Sequence, residues 1–95
     1  MFELNQSLIE KYGEVALYDV AMEEVCEFLQ AINKIKRYGI SHDRALNLAV
    51  EIADLEIVFS RLKEQFILDY DVNYFKVKKI NHLNDLVKNK ENEKC

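Results

Sequence analysis

The chain has 95 residues and a formal charge of −4, with 49% hydrophobic and 32% charged residues. That is the balance of one soluble domain, too short for two, and it excludes a general electrostatic footprint for nucleic acid. Proline is absent and glycine occurs only twice, so long helices meet few breakers and the expected fold class is all-α.

The first segment, Phe2 to Tyr12, sets Phe2, Leu4, Leu8 and Ile9 at helical spacing, and Gly13 can stop it. The second runs from Glu14 to about Arg37, with Ala21, Val25, Phe28, Leu29, Ile32 and Ile35 as its apolar face. Lys34, Lys36 and Arg37 fall in its last turns, where cations complement the helix dipole, and Tyr38-Gly39 ends it. Ser41 reads as an N-cap, followed by Asp43 in a first turn. The third segment, His42 to Leu68, carries apolar residues on nearly every side through LNLAVEIADLEIVFSRL, as a helix buried in a bundle does. Asp69 to Asp71 reads as a polar break with Asp71 as a cap. A fourth helix then carries Val72, Phe75, Ile80, Leu83 and Val87 as one stripe. Residues 1–88 are expected to form a single four-helix bundle-type domain, and residues 89–95 a polar tail.

No apolar run reaches the roughly 18 residues of a membrane span. The start Met-Phe-Glu-Leu-Asn is not that of a signal peptide. Cys26 and Cys95 suggest neither a disulfide framework nor a zinc site, so the expected compartment is the reducing cytoplasm.

Glu51, Asp54 and Glu56 interrupt a segment that otherwise reads as core. An ionised carboxylate taken out of water costs several kcal/mol unless it is paired, hydrogen-bonded or metal-bound. Glu51 and Asp54 are three apart and share a face; Glu24 and Glu27 repeat the arrangement on the second helix. Glu56 and Glu23 leave those faces, the first as a structural or subunit-contact residue and the second as a solvated one. Two such pairs on facing antiparallel helices would gather four carboxylates, each raising the others' pKa values. A hard divalent cation removes the conflict. Oxygen-only ligands suit magnesium, manganese or calcium, and magnesium readily shares its shell with phosphates.

The stretch AMEEVCEFLQAINK, Ala21 to Lys34, followed by EIAD, Glu51 to Asp54, resembles the MazG-like all-α nucleoside triphosphate pyrophosphohydrolases, a superfamily that includes the dimeric dUTPases. The shared pattern is E-x-x-E, a gap, then E-x-x-D; the gap here is 23 residues, and the resemblance extends from about Leu8 to Leu83. It implies magnesium-dependent cleavage of a nucleoside triphosphate to monophosphate and pyrophosphate, with manganese as a possible substitute. It implies a metal set of Glu24, Glu27, Glu51 and Asp54, with Glu24 and Glu27 as catalytic candidates. It also implies a homodimer or homotetramer that completes the bundle.

Relatives often carry a Lys and an Arg on the last helix. Here Lys79 is a candidate phosphate contact, and His82 stands where Arg is commoner. Lys34 and Arg61 each lie seven residues beyond a carboxylate, on its face and about 10 Å along. On antiparallel helices they fall on opposite sides of the metal, and Lys34 is the favoured contact of the two. Phe28 could stack on a base or be plain core. Two other functions fit the same pattern: a catalytically silent helical regulator of this fold, and a phosphoribosyl-ATP pyrophosphohydrolase-type enzyme.

Overall fold

Two glycines decide where the first helices stop. The computed structural model describes the backbone of residues 1–94 and side chains through residue 90. In it α1 spans Phe2–Tyr12 and α2 spans Glu14–Tyr38. Gly13 (φ 88°, ψ 164°) and Gly39 (φ 82°, ψ 174°) close them in a backbone region that side-chain-bearing residues essentially never enter. Each donates its N–H to the preceding helix at 2.8 Å, Gly13 to Ile9 O and Gly39 to Ile35 O.

α3, His42–Phe66, starts as its sequence indicates. Ser41 Oγ accepts from Arg44 N at 3.2 Å, an N-cap. Arg44 also reaches back across the turn. Its Nη1 donates to the carbonyls of Tyr38 (3.3 Å) and Gly39 (3.1 Å), and its guanidinium lies 5.3 Å from the Tyr38 ring centre. One residue therefore satisfies the loose carbonyls of α2 while its own backbone is capped by Ser41. The turn of the α2–α3 hairpin is fastened from both sides.

α2 and α3 pack along their length, and α1 lies against both. Leu17 and Ala31 from α2 and Leu55 and Val58 from α3 form the buried apolar core. At the far end from the turn, the Tyr18 and Phe66 rings stack at 6.1 Å. The faces differ in detail from those the apolar spacing suggests. On α1 the buried side chain is Asn5, while Phe2 and Leu4 are exposed. On α2 the seam follows Leu17, Ala21, Glu24, Phe28, Ala31 and Ile35, leaving Val25, Leu29 and Ile32 exposed. The apolar arc of α2 is wider than one partner helix can cover, so half of it stays in water.

The α3–α4 junction also departs from expectation. The break falls at Ile67-Leu68, and α4 already begins at Asp69 and continues through Lys94. Ile67 adopts the left-handed conformation (φ 56°, ψ 56°), and Leu68 N–H donates to Lys63 O at 2.8 Å. This is a Schellman closure with a β-branched residue where glycine is usual. Asp69 and Asp71 sit in the first turn of α4, where negative charge suits the helix dipole, so Asp71 is not a cap. No break in the helix marks the start of the polar tail at residue 89, and Cys95 lies outside the described residues.

The protein is thus an all-α domain of four helices. Among the described residues α4 packs on α3 alone, close to their junction, and then leaves the hairpin. The radius of gyration is 17.7 Å, against roughly 12 Å for a compact chain of this length. The accessible surface is 7730 Å², against roughly 5700 Å² for a compact monomer of this mass. Tyr74, Phe75, Val77, Ile80, Leu83 and Val87 all stand exposed along α4.

Candidate metal centre

The hairpin turn sets the register of the carboxylates. Glu27 and Glu51 each stand twelve residues from Gly39, and Glu24 and Asp54 each stand fifteen. On two antiparallel arms, positions equally distant from the turn lie opposite each other. Glu27 therefore faces Glu51 and Glu24 faces Asp54, while the i, i+3 spacing stacks the two pairs one turn apart. All four contribute one oxygen to a group whose members lie within 4.8 Å of one another. The side chains are half-buried, in the same seam that holds Leu55 and Val58.

The electrostatics of this arrangement are unfavourable without a cation. Burial, then the charges of Glu27 and Asp54, push the Glu24 carboxyl up to about 7, helped by a hydrogen bond with Asp54. Burial raises Glu51 as well, with Glu27 and Asp54 adding to it. Among the described residues three carboxylate oxygens are buried without a hydrogen-bond partner: Oε2 of Glu24 and of Glu51 within the cluster, and Oε2 of Glu64 outside it. Buried polar atoms are nearly always satisfied. The two that belong to the cluster, one from each helix, lie in an all-oxygen donor set that fits a hard divalent ion of the magnesium or manganese kind. The four-residue cluster can hold a divalent metal, and its histidine-free composition disfavours zinc.

The remaining candidates are distributed differently. Arg61 lies on α3 with 9% of its surface exposed. It shares a cleft of about 140 Å³ with Glu24 and Asp54, bounded by Val20, Ile57 and Val58. Past Val20 and Arg61 the surface dips again into an apolar recess of about 310 Å³ lined by Leu8, Tyr12 and Ala16. Lys34 is exposed on α2, on the turn side of the carboxylates. Lys79 and His82 are exposed on α4, which does not pack beside the carboxylates of its own chain. Glu23 and Glu56 are exposed, and Phe28 is half-buried in the seam.

Sequence spacing misses one feature of the site. Asn5, from α1, is fully buried and accepts from Arg61 Nε through Oδ1 at 2.9 Å, while its Nδ2 donates to Gln65 Oε1 at 3.2 Å. The only hint in the sequence is an amide one position beyond Leu4, on a helix otherwise read by its apolar residues.

Comparison with known protein families, with curated proteins and with solved structures gives no match. Among the described residues, no helix is long and apolar enough to cross a membrane.

Proposed function

We propose that the protein is a magnesium-dependent nucleoside triphosphate pyrophosphohydrolase of the MazG-like kind, cytoplasmic and assembled as a homodimer or homotetramer. The observation that carries this reading is the meeting of E-x-x-E and E-x-x-D on the facing arms of one hairpin, with a buried, unpartnered oxygen on each arm. Manganese is the expected substitute metal.

Glu24, Glu27, Glu51 and Asp54 would hold the metal, which when bound neutralises the phosphates and acidifies a water. Glu24 and Glu27 are the assigned catalytic pair. An oxygen of this pair left free of the metal would take the proton from the attacking water. Lys34, Arg61 and Lys79 are the cations available to a polyphosphate. Because α4 leaves the hairpin, Lys79 belongs in this reading to the centre of a second copy. The apolar recess beside Arg61 offers the organic part of a substrate a surface from which water is displaced.

Assembly is supported by area. The surface exposed beyond that of a compact monomer is roughly 2000 Å², more than the ~800 Å² each partner gives to a standard interface. A partner copy would cover α4 and the bare half of α2. Neither a nucleic acid nor a membrane is part of the reading.

Product analysis tests the reaction. No Gly-rich cradle or G-K-[ST] motif is present to grip a terminal phosphate, so pyrophosphate should leave as one unit after water attacks the α phosphorus. A panel of deoxy- and ribonucleoside triphosphates with magnesium should yield monophosphate and pyrophosphate from at least one member. An analogue with a non-hydrolysable α–β bridge should bind uncut, while one blocked at β–γ should still be cleaved. Diphosphate and orthophosphate as primary products would overturn the assignment. Metal binding without turnover of any nucleotide would leave a silent regulator of the same fold.

A further inference from the structure

Arg61 is a buried cation, and no carboxylate among the described residues forms a direct ion pair with it. Removing a guanidinium from water is costly unless its donors are engaged. The one hydrogen bond of Arg61 runs from Nε to Asn5 Oδ1, at 2.9 Å. Among the described residues the Nη groups, which carry four of the five N–H donors, have no hydrogen-bond partner, and the side chain borders the cleft shared with Glu24 and Asp54.

Asn5 is built for this contact. Nε–H can only donate, so the amide oxygen must face Arg61 and the amide nitrogen must face away, where it finds Gln65 Oε1 at 3.2 Å. Both polar ends of a fully buried side chain are thereby fixed. As pure packing the choice is poor: α1 has 11 residues and its buried side chain is an amide, where a leucine would remove more apolar surface from water. A hydrogen bond at Nε leaves the two Nη groups as a fork, the arrangement that takes two oxygens of one phosphate.

We propose that Arg61 is the phosphate-binding arm of the carboxylate centre, and that Asn5 is the positioning residue that aims it. The ligand class is a metal-chelated di- or triphosphate. The carboxylates hold the cation, and the Arg61 fork takes oxygens of the same phosphate chain on the α1 side. Locking Nε before the ligand arrives lowers the ordering cost of a long side chain. The role of α1 is to carry that lock. The proposal rests on the metal-binding reading of the four carboxylates, and goes beyond it in choosing Arg61 over Lys34 and in bringing α1 into the site.

The test uses the full chain and two probes, manganese alone followed by spin resonance, and magnesium pyrophosphate followed by calorimetry. Wild type should bind both. Arg61→Gln should bind manganese as wild type does, or slightly more tightly since a nearby positive charge is gone, and should bind magnesium pyrophosphate at least about tenfold more weakly. Asn5→Ala should show a similar loss for pyrophosphate with manganese binding kept. Asn5→Asp retains an oxygen acceptor for Nε and should recover affinity to within about threefold of wild type. Should Asn5→Ala unfold, Asn5→Asp and Arg61→Gln still decide the matter, because each keeps a hydrogen-bonding side chain in place. Manganese binding with unaltered pyrophosphate affinity in Arg61→Gln would overturn the arm and leave the metal centre standing. Equal losses in Asn5→Asp and Asn5→Ala, with pyrophosphate binding lost in Arg61→Gln, would overturn the positioning role. A wild type that binds no manganese would overturn the metal centre and the proposal with it.

Discussion

The α2–α3 hairpin and α4 are built from helices of nearly equal length, 25, 25 and 26 residues, and they are unsatisfied in opposite ways. The hairpin draws charge into its seam, where Glu24, Glu27, Glu51 and Asp54 crowd together and two oxygens go unpaired. α4 does the reverse and holds Phe75, Ile80, Leu83 and Val87 out in water. The first region has the donors to hold a cation, and the second has apolar surface that its own chain leaves uncovered. Neither defect would survive in a sequence selected only to fold as an isolated monomer, since each costs free energy that a small chain has little of. In the proposed reading the two defects answer to two binding events, one of an ion and one of a second copy of the chain.

The largest expected effect breaks the hairpin side of this contrast. Asp54→Asn keeps the shape of the side chain and removes a ligand charge. It should weaken manganese or magnesium by at least the roughly 10- to 100-fold that follows even from changes behind the ligands, and turnover with it. Helical content should be unchanged, and the metal-free protein should melt higher because one of four repelling charges is gone. Unchanged metal affinity in Asp54→Asn would remove that residue from the centre.

The α4 side is tested by mass. Wild type should sediment at no less than twice the 11.2 kDa chain. Ile80→Asp combined with Leu83→Asp places two charges in the apolar stripe and should return the protein to the chain mass. A wild-type monomer at micromolar concentration would show that the stripe is not covered by another copy.

The smallest effect is the pH dependence, which sharpens the comparison because it touches only the hairpin. The folded Glu24 carboxyl titrates at about 7 against an ordinary 4.5, and Glu51 is raised too, so the folded state binds more protons than the unfolded one in between. Stability from these groups is full below about 4.5 and is lost as pH rises through about 7. In chelator the melting temperature should fall from about pH 5 to about pH 8, and millimolar magnesium should reverse much of the fall at the upper end by binding the ionised cluster. A melting temperature indifferent to magnesium at the higher pH would count against a preformed centre.

Much of this was legible from the residues, and the reasons differ by element. The ends of α1 and α2 follow from Gly13 and Gly39, and the start of α3 from Ser41, because each does a job few other residues can do. The α3–α4 junction does not show in the sequence, because Ile67 carries no turn signal and is left-handed only through its hydrogen-bonded closure, while the nearby aspartates resemble a break. The carboxylates were visible as charge in an apolar helix. The Asn5–Arg61–Gln65 chain was not, because its members are 56 and 60 residues apart and their spacing along the sequence says nothing about which faces meet. The buried faces are only partly legible for a related reason: a wide apolar arc shows that a helix has neighbours, without saying which neighbour takes which half.

The equal distances from Gly39 have a consequence for how such a chain can change over descent. One residue inserted within either arm, between the turn and its carboxylates, turns the pair beyond it by about 100° and carries it off the seam. Two arms lengthened by about seven residues each, close to two full turns, would bring the pairs back into phase. The bend itself, outside the helices, answers to no such rule. A lineage that preserves the metal centre should therefore show freely drifting letters, a bend of variable length, and arm lengths that move in jumps and in step. Kinship to this chain would be kept in a distance along the helix rather than in the residues that fill it.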